Sequence, residues 1–330
     1  MKIRTLGNSN LRISAVGLGC MGLTHAFGTP LEKREAADKI RQAHDMGYSF
    51  FDTAECYTGT NPDGTTAYNE EAVGEGIRGF RDKIVLATKC GVIHSYSGLT
   101  MDSRPETIRK SIDGSLKRLG TDYVDLYYQH RIDPNVAPEV VAETMAELIR
   151  AGKIRHWGIS CATEEYLRRA HAVCPVSAVQ NIYSMIDRET ESLFPTFEEL
   201  GITLVAYTPL AKGFLSGTYA QATRFDHAED NRSGRYQFSE AGFEHYRRVL
   251  ELIHEKAAER QATPAQISLA WMMSKKPWIV PIPGTRTPSR MQENADASEI
   301  VLSAQEVQQL DDALDAMHLV DTAAARSLMK

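Results

Sequence analysis

The sequence predicts an α/β protein of the (β/α)8-barrel (TIM-barrel) class, and three observations support this prediction. Short runs rich in β-branched and aromatic residues alternate with amphipathic helical stretches, which is the pattern of a parallel sheet covered by helices. Eight such strand–helix units follow one another within 330 residues. No low-complexity linker separates them, so we expect residues 1–330 to form a single domain that closes into a barrel.

The barrel strands are predicted from short apolar runs bounded by turn residues. They cover residues 14–19, 49–53, 84–89, 123–129, 155–160, 177–181, 203–207 and 278–282. Ahead of them, residues 1–14 predict a β-hairpin with Gly7 and Asn8 in the turn. We expect this hairpin to plug the N-terminal end of the barrel.

The helices are predicted from apolar periodicity near 3.6 residues and from their end signals. They lie near 33–46, 69–78, 105–119, 137–150, 163–173, 190–200, 242–258 and 264–274, with extra C-terminal helices near 288–295 and 304–316. Ser103 before Pro105, and Thr263 before Pro264, predict capped helix starts. Glycines that follow helices predict left-handed C-terminal caps, at Gly47, Gly120, Gly152 and Gly201.

Composition excludes several classes of partner. The formal net charge is −6 and the isoelectric point is about 6.0, so a general nucleic-acid binder is not expected. No apolar run approaches the length of a membrane span, so we expect no membrane association. Five widely spaced cysteines, without a C-x-x-C pair or a histidine cluster at zinc spacing, predict reduced thiols in a cytoplasmic protein without a metal. The expected partner is a small molecule.

The stretch from Gly17 to Gly22, GLGCMG, fits the G-x-G-x-x-G pattern of a dinucleotide-binding turn. That pattern has a mechanism only where the third glycine opens a helix and an acidic residue follows about 20 positions later. Here the breakers Gly28 and Pro30 come first, and the corresponding later positions fall inside a predicted helix. We therefore predict a strand leading into a loop, and any nucleotide must be bound by other residues.

Ionisable residues end three neighbouring strands of the predicted barrel. Asp52 ends the second strand, Lys89 ends the third, His130 follows the fourth, and Tyr57 lies in the loop above the second. Barrel enzymes carry their chemistry at these C-terminal ends. A lysine in a buried strand needs a carboxylate beside it, and Asp52 is the natural partner. A cation about 4 Å from the Tyr57 hydroxyl would lower the tyrosine pKa from about 10 towards neutrality, which suits a general acid.

An alternative interpretation of these residues is purely structural. Asp52 and Lys89 would then form an ion pair between neighbouring strands, and His130 would be a core histidine with its hydrogen bonds satisfied. The convergence of four such groups on one rim favours the functional interpretation.

Four strings carry a resemblance to a known family. FFDTAECY at residues 50–57, ATKCG at 87–91, DLYYQHR at 125–131 and GISC at 158–161 resemble the aldo-keto reductases, and the likeness runs over nearly the whole chain. The resemblance implies NADPH-dependent reduction of an aldehyde or ketone to an alcohol by hydride transfer. It also implies that Tyr57 donates the proton, that Lys89 and Asp52 tune it, and that His130 orients the substrate carbonyl.

The resemblance further implies a cofactor site across the C-terminal rim, without a Rossmann fold. The implied contacts are Cys20 and Met21 at the nicotinamide ribose; Ser160, Gln180 and Tyr207 at the nicotinamide; Pro209, Leu210, Lys212 and Gly213 at the pyrophosphate; Gly284, Thr285, Arg286 and Arg290 at the adenosine phosphates; and Glu293 and Asn294 at the adenine. Alternatively, Tyr207 is a core aromatic and the two arginines are solvated. Cys161 departs from the family, which usually has asparagine after the serine, so an amide contact is lost.

Two alternative functions remain open at this stage. Lys89 could form a Schiff base in a different kind of barrel enzyme. The chain could also be a nicotinamide-binding regulatory subunit with slow turnover, as found in partners of membrane channels. Phe27 and Tyr96 are predicted to line the substrate pocket. The substrate itself and the oligomeric state are not predicted.

Overall fold

The computed structural model describes residues 1–95, 98–219, 223–225, 227 and 230–317. The strands are β1 (Ile3–Thr5), β2 (Arg12–Ser14), β3 (Leu18–Gly19), β4 (Phe50–Asp52), β5 (Thr58–Thr60), β6 (Thr66–Tyr68), β7 (Val85–Cys90), β8 (Val92–Ser95), β9 (Gly98–Met101), β10 (Val124–Gln129), β11 (Ile154–Ser160), β12 (Ala178–Ile182), β13 (Thr203–Tyr207) and β14 (Ile279–Pro281). The α-helices are α1 (Lys33–Asp45), α2 (Asn69–Gly76), α3 (Pro105–Leu119), α4 (Pro138–Arg150), α5 (Glu164–Val173), α6 (Phe194–Leu200), α7 (Glu240–Arg260), α8 (Pro264–Lys275), α9 (Pro288–Asp296) and α10 (Ala304–Ala316).

Eight parallel strands form the central sheet in the order β3-β4-β7-β10-β11-β12-β13-β14. The two end strands meet, because the Gly17 amide donates to the Pro281 carbonyl at 2.9 Å and the Gly19 amide to the Pro283 carbonyl at 3.4 Å. The predicted barrel is confirmed. Helices α9 and α10 follow the last strand as the predicted C-terminal additions.

The GLGCMG stretch is explained by this seam. A Cβ atom on Gly19 would lie 2.7 Å from the Ile282 carbonyl oxygen, so only glycine lets the first and last strands approach. The third glycine lies in a short 3₁₀ helix (Met21–Leu23), and the first α-helix begins only at Lys33. The predicted strand leading into a loop is confirmed.

The N-terminal hairpin fills one end of the barrel, as predicted. Strands β1 and β2 pair antiparallel. Leu6 and Ile13 are fully buried and belong to the cluster of apolar side chains in the barrel interior, with Phe50, Leu126 and Val280 among its members. Because these side chains close the N-terminal end, the opposite end is the one left for a ligand.

Most of the helix end signals are confirmed, and one is wrong. Thr263 forms a full capping box with Gln266. The four glycines expected after helices all have positive φ: Gly47, Gly120, Gly152 and Gly201. Ser103, however, does not cap α3. The helix starts at Pro105 as predicted, but its N-cap residue is Arg104, and the Asp102 carboxylate accepts from the Arg104 amide and the Thr107 hydroxyl.

Several element boundaries differ from the prediction. The first barrel strand covers only Leu18–Gly19, because Ser14 belongs to the hairpin. Helix α6 is shorter than predicted, since a 3₁₀ helix (Glu189–Leu193) occupies its expected first turn. Two hairpins in the loops above the barrel, β5–β6 and β8–β9, were not predicted, because their strands are three or four residues long.

Within the described ranges, every helix is too short or too polar to span a bilayer.

We predict opposite effects for two glycine-to-alanine substitutions in neighbouring helices. Gly74→Ala in α2 should lower the free energy of unfolding by about 1–3 kcal/mol, because the new Cβ would lie 2.5 Å from the Leu119 carbonyl oxygen. Gly114→Ala in α3 should raise it by up to about 1 kcal/mol, because alanine is favoured over glycine within a helix and the added methyl meets only the Arg118 guanidinium, at 3.1 Å, where a shift of a few tenths of an ångström relieves the contact. Urea denaturation measures both, and equal shifts would contradict the packing described here.

Candidate active site

The alternation of side chains along the strands brings three of the predicted catalytic residues together at the C-terminal mouth of the barrel. In β4, β7 and β10 the side chains of Phe50, Val85, Ala87, Leu126 and Tyr128 point into the barrel. Since successive side chains alternate between the two faces of a strand, the next inward positions are 52, 89 and 130. Asp52, Lys89 and His130 occupy them, and the three strands are direct neighbours in the sheet.

The Lys89 ammonium group is fully buried, and all three of its N–H donors are hydrogen-bonded. Its Nζ atom lies 2.5 Å from Asp52 Oδ1, 2.7 Å from the Thr53 carbonyl oxygen and 3.1 Å from the Tyr57 hydroxyl. A lysine has three N–H donors, so each of them has an acceptor. Burial alone would lower the pKa of Lys89, but Asp52 and Tyr57 raise it by more, and the group stays a cation.

Asp52 is held on both sides. One carboxylate oxygen accepts from Lys89, and the other accepts from the Gln180 amide nitrogen at 2.8 Å. Its side chain is 3% exposed, and burial raises the pKa of this carboxyl despite the stabilising neighbours. The ion pair therefore lies in a site from which water is largely excluded.

Tyr57 differs from the expectation in one respect. Burial raises the pKa of Tyr57 to about 12, because loss of hydration outweighs the opposing effect of Lys89. The predicted shift towards neutrality is wrong for the cofactor-free protein: the phenol is protonated throughout the neutral range. The His130 ring lies edge-on to the Tyr57 ring, with 5.7 Å between their centroids.

Residues at the ends of the next strands around the barrel form a second cluster of polar side chains beside this site. Ser160 ends β11 and Tyr207 ends β13, where Cys161 Sγ lies 3.3 Å from the Tyr207 hydroxyl. Arg131 Nη1 donates to Ser160 Oγ at 3.0 Å. The Arg131 guanidinium lies 5.9 Å from the centroid of the Tyr207 ring.

Backbone strain is concentrated at the same rim. Non-glycine residues with positive φ in the described chain are Ala26, Cys161, Thr208, Ala211, Lys212 and Gln261. All except Gln261 lie in loops that follow barrel strands, and three of them lie just after β13. Such conformations cost about 1–3 kcal/mol each and cluster at functional sites. Cys161 has φ of 58°, a conformation in which asparagine is more favourable.

The segment after β14 places the predicted phosphate contacts on the rim. Arg286 donates from Nε to the Gly22 carbonyl and from Nη1 to the Thr29 carbonyl at 2.9 Å. Its Nη2 atom is buried without a hydrogen-bond partner among the described residues. Arg290 is exposed in the first turn of α9. The remaining predicted residues of this segment are the exposed Gly284, the half-buried Thr285 and Glu293, and the buried Asn294.

Other predicted cofactor residues lie on the same rim with different exposure. Cys20 is fully buried; its amide donates to the Asp52 carbonyl and its carbonyl accepts from the Asn69 side-chain amide. Met21 packs against the small apolar cluster that contains Tyr57. The residues after β13 are the buried Pro209 and the half-buried Leu210, Lys212 and Gly213.

Two loops meet across the mouth at the position predicted for the substrate pocket. Phe27 pairs with Asp230 in an isolated antiparallel bridge, and the Asn231 amide donates to the Ala26 carbonyl at 2.9 Å. Lys212 Nζ donates to Asn231 Oδ1 at 2.9 Å. Tyr96, the other predicted pocket residue, lies outside the described residues.

Sequence reasoning missed four residues at this site. Cys56 Sγ lies 3.4 Å from His130 Nδ1, and the His25 ring stacks on Tyr57 with 5.8 Å between centroids. Asn69 is buried and bonds to Thr53, Cys20 and Thr24, which fixes the loops on either side of β4. Arg131 follows His130 directly. Only Cys56 and Arg131 carried a signal, since both lie inside the strings that resemble the family.

Among the described residues, no group of three or more His, Cys, Asp or Glu side chains is placed to hold a metal ion.

Comparisons with known proteins agree with the geometry. The model of the Aldo/keto reductase family matches residues 15–315. The "Probable aldo-keto reductase 1" of Glycine max is 34% identical over 326 residues, which are 97% of this chain and 90% of that protein. The solved glycerol dehydrogenase of Gluconobacter oxydans is 26% identical, with a TM-score of 0.85 and 96% of both chains covered.

A second solved structure, the holo form of an aldo-keto reductase from Bacillus halodurans, has a TM-score of 0.76 at 26% identity, covering 95% of this chain and 96% of that one. Fold, sequence and family model agree over almost the entire chain. The resemblance drawn from four short strings is thus confirmed, and this chain belongs to the aldo/keto reductase family of carbonyl oxidoreductases.

Proposed function

We propose that the protein reduces an aldehyde or ketone to an alcohol with NADPH, and that Tyr57 donates the proton. One observation carries this proposal: the Tyr57 hydroxyl is hydrogen-bonded to a fully buried ammonium group at the barrel mouth. A proton donor that becomes negative when it acts needs a cation already in place. Lys89 is that cation.

The residues of the rim suit NADPH. Arg286 has an unpartnered, buried Nη2 atom, and Arg290 stands exposed one turn further along. Guanidinium groups pair with phosphate in a bidentate manner, so these two would hold the 2′-phosphate. NADPH, when bound, supplies the hydride. Ser160, Gln180 and Tyr207 would hold the nicotinamide; the Gln180 amide nitrogen donates to Asp52, so its oxygen is the atom proposed for the carboxamide.

The catalytic roles follow from charge. Because its pKa is about 12, Tyr57 carries its proton at neutral pH and can deliver it to a carbonyl oxygen. Once the proton has left, the phenolate lies 3.1 Å from Lys89, which Asp52 holds in place. We assign the orientation of the carbonyl to His130, whose ring packs against Tyr57.

The Schiff-base alternative is disfavoured by the state of Lys89. A lysine that attacks a carbonyl must be neutral and reachable, whereas Lys89 is fully buried, donates to three acceptors and has a raised pKa. No specific feature of the described residues favours the alternative of a slow regulatory subunit.

The wider setting of the enzyme is also a proposal. The family model spans residues 15–315, which supports a single domain. The five cysteines are free thiols, which supports a reducing, cytoplasmic environment. The partner is a small carbonyl compound that enters through the mouth of the barrel.

We predict that Tyr57→Phe lowers kcat for carbonyl reduction by about 10²–10⁴-fold, because the proton donor is lost. The dissociation constant for NADPH should remain nearly unchanged. Nicotinamide absorbance measures turnover and fluorescence quenching measures binding. Tyr123→Phe is the matched control, because that tyrosine directly precedes β10, at the end of the barrel opposite Tyr57. Turnover of Tyr57→Phe near the wild-type rate would remove the acid role, and NADPH binding without turnover in the wild type would favour a regulatory subunit.

We predict that Arg286→Ala raises the dissociation constant for NADPH by about 10–100-fold, since charge-assisted hydrogen bonds are worth about 1.5–3 kcal/mol. The dissociation constant for NADH should change far less, because NADH has no 2′-phosphate. Titrations followed by fluorescence compare the two cofactors in each variant. Equal losses for both would place Arg286 in a structural role through its bonds to the carbonyls of Gly22 and Thr29.

A further inference from the structure

Arg131 is a half-buried cation in the middle of the proposed site. It directly follows His130, and its Nη1 atom donates to the His130 carbonyl at 2.6 Å and to Ser160 Oγ at 3.0 Å. Its guanidinium carbon lies 5.9 Å from the centroid of the Tyr207 ring. The positive charge thus lies among three residues that the proposed function puts around the reacting carbonyl and the nicotinamide.

No carboxylate of a described residue lies within 4.0 Å of Arg131. Other half-buried arginines do have one: Arg81 with Asp125, Arg118 with Glu70, Arg188 with Glu191, and Arg232 with Asp230. A cation taken partly out of water without a counter-charge is costly, so its retention here calls for an anion from elsewhere.

Two further half-buried arginines of the described chain lack a carboxylate, and each has another explanation. Arg4 donates to the backbone carbonyls of Met273, Lys276 and Ile279 at the closed end of the barrel. Arg286 lies at the rim, where the proposed function assigns it a cofactor phosphate. Arg131 has neither explanation, because its hydrogen bonds within the described structure use Nη1 alone.

The guanidinium therefore has donors to spare. It carries five N–H groups, and those on Nε and Nη2 are not bonded to any described residue. Two adjacent guanidinium nitrogens match the two oxygens of a carboxylate, or two oxygens of a phosphate, in parallel hydrogen bonds. An oxyanion with two accepting oxygens would balance this charge.

We infer that Arg131 selects carbonyl substrates that carry an anionic group, a carboxylate or a phosphate, close to the reacting aldehyde or ketone. This inference rests on the proposed function and narrows its substrate class. Arg131 binds the anionic group, while His130 and Tyr57 engage the carbonyl oxygen. No additional co-reactant is required, since the reaction remains a carbonyl reduction.

Paired substrates test this inference. With NADPH, the wild type should show at least a tenfold higher kcat/KM for 4-carboxybenzaldehyde than for benzaldehyde, and for succinic semialdehyde than for butanal. The same comparison between glyceraldehyde 3-phosphate and glyceraldehyde shows whether a phosphate is preferred, as distinct from a carboxylate. A charged member preferred in any pair supports the inference, and no preference in all three pairs overturns it while leaving the proposed function intact.

Variants of Arg131 show whether this side chain is responsible. Arg131→Gln should lower the ratio of kcat/KM for the preferred anionic substrate to kcat/KM for its neutral partner by about 30-fold, equivalent to about 2 kcal/mol at 1.4 kcal/mol per tenfold change, beyond any loss that both substrates share. Arg131→Lys keeps the charge and should retain part of the preference. Arg12→Gln, an exposed arginine of the N-terminal hairpin, is the matched control.

A binding measurement separates this role from a role in cofactor binding. By calorimetry, benzoate and succinate should bind the wild-type complex with NADP⁺ about 30-fold more tightly than the Arg131→Gln complex. The dissociation constant for NADPH should change far less than that for benzoate or succinate in the variant. A weakened NADPH affinity, with equal losses for charged and neutral substrates, would assign Arg131 to the cofactor and overturn the inference. Absence of turnover with every carbonyl would instead refute the proposed function.

Discussion

The structure of the barrel mouth depends on one buried ammonium group. Lys89 is fully buried, and its three donors are taken by Asp52, the Thr53 carbonyl and Tyr57. Removing ions from water costs several kcal/mol each even after relaxation, and a pair of apolar side chains would fill the same space at lower cost. The arrangement is best understood through what it does for Tyr57: it holds the hydroxyl in place and provides a positive charge beside it.

The loops above the barrel are held by a second layer of buried polar contacts. Asn69, at the start of α2, accepts from the Thr53 hydroxyl and donates to the Cys20 carbonyl and the Thr24 hydroxyl. The adjacent Glu70 accepts from the Thr88 hydroxyl and from Arg118. One end of a short helix thereby ties together the segments around β3, β4 and β7. Tyr57 lies in the loop that this helix closes, so its position depends on backbone groups that are themselves fixed.

Much of this site could be predicted from the sequence, because the period of a β-strand is two. Once Phe50, Ala87 and Tyr128 are recognised as inward, positions 52, 89 and 130 must follow at the same end of adjacent strands. The pKa of Tyr57 could not be predicted in the same way. Burial raises the pKa of Tyr57 and the Lys89 cation, 3.1 Å away, lowers it. Which of the two effects is larger depends on how tightly the folded chain packs around the hydroxyl. The predicted Ser103 cap is wrong because contacts in the folded chain decide which side chain binds the start of the helix. There the Asp102 carboxylate accepts the hydrogen bonds from the Arg104 amide and the Thr107 hydroxyl.

The central claim is that Lys89 positions a protonated Tyr57 in a dry site, and the ionisation of that phenol tests it most directly. In protein labelled with ¹³C at tyrosine Cζ, the Tyr57 signal is identified by its absence in Tyr57→Phe and followed against pH by NMR without cofactor. The account predicts a midpoint at about 12, with no change of the signal below about pH 10, the ordinary range of tyrosine. A midpoint clearly below about 10 would show that the cation outweighs burial, and it would contradict the account.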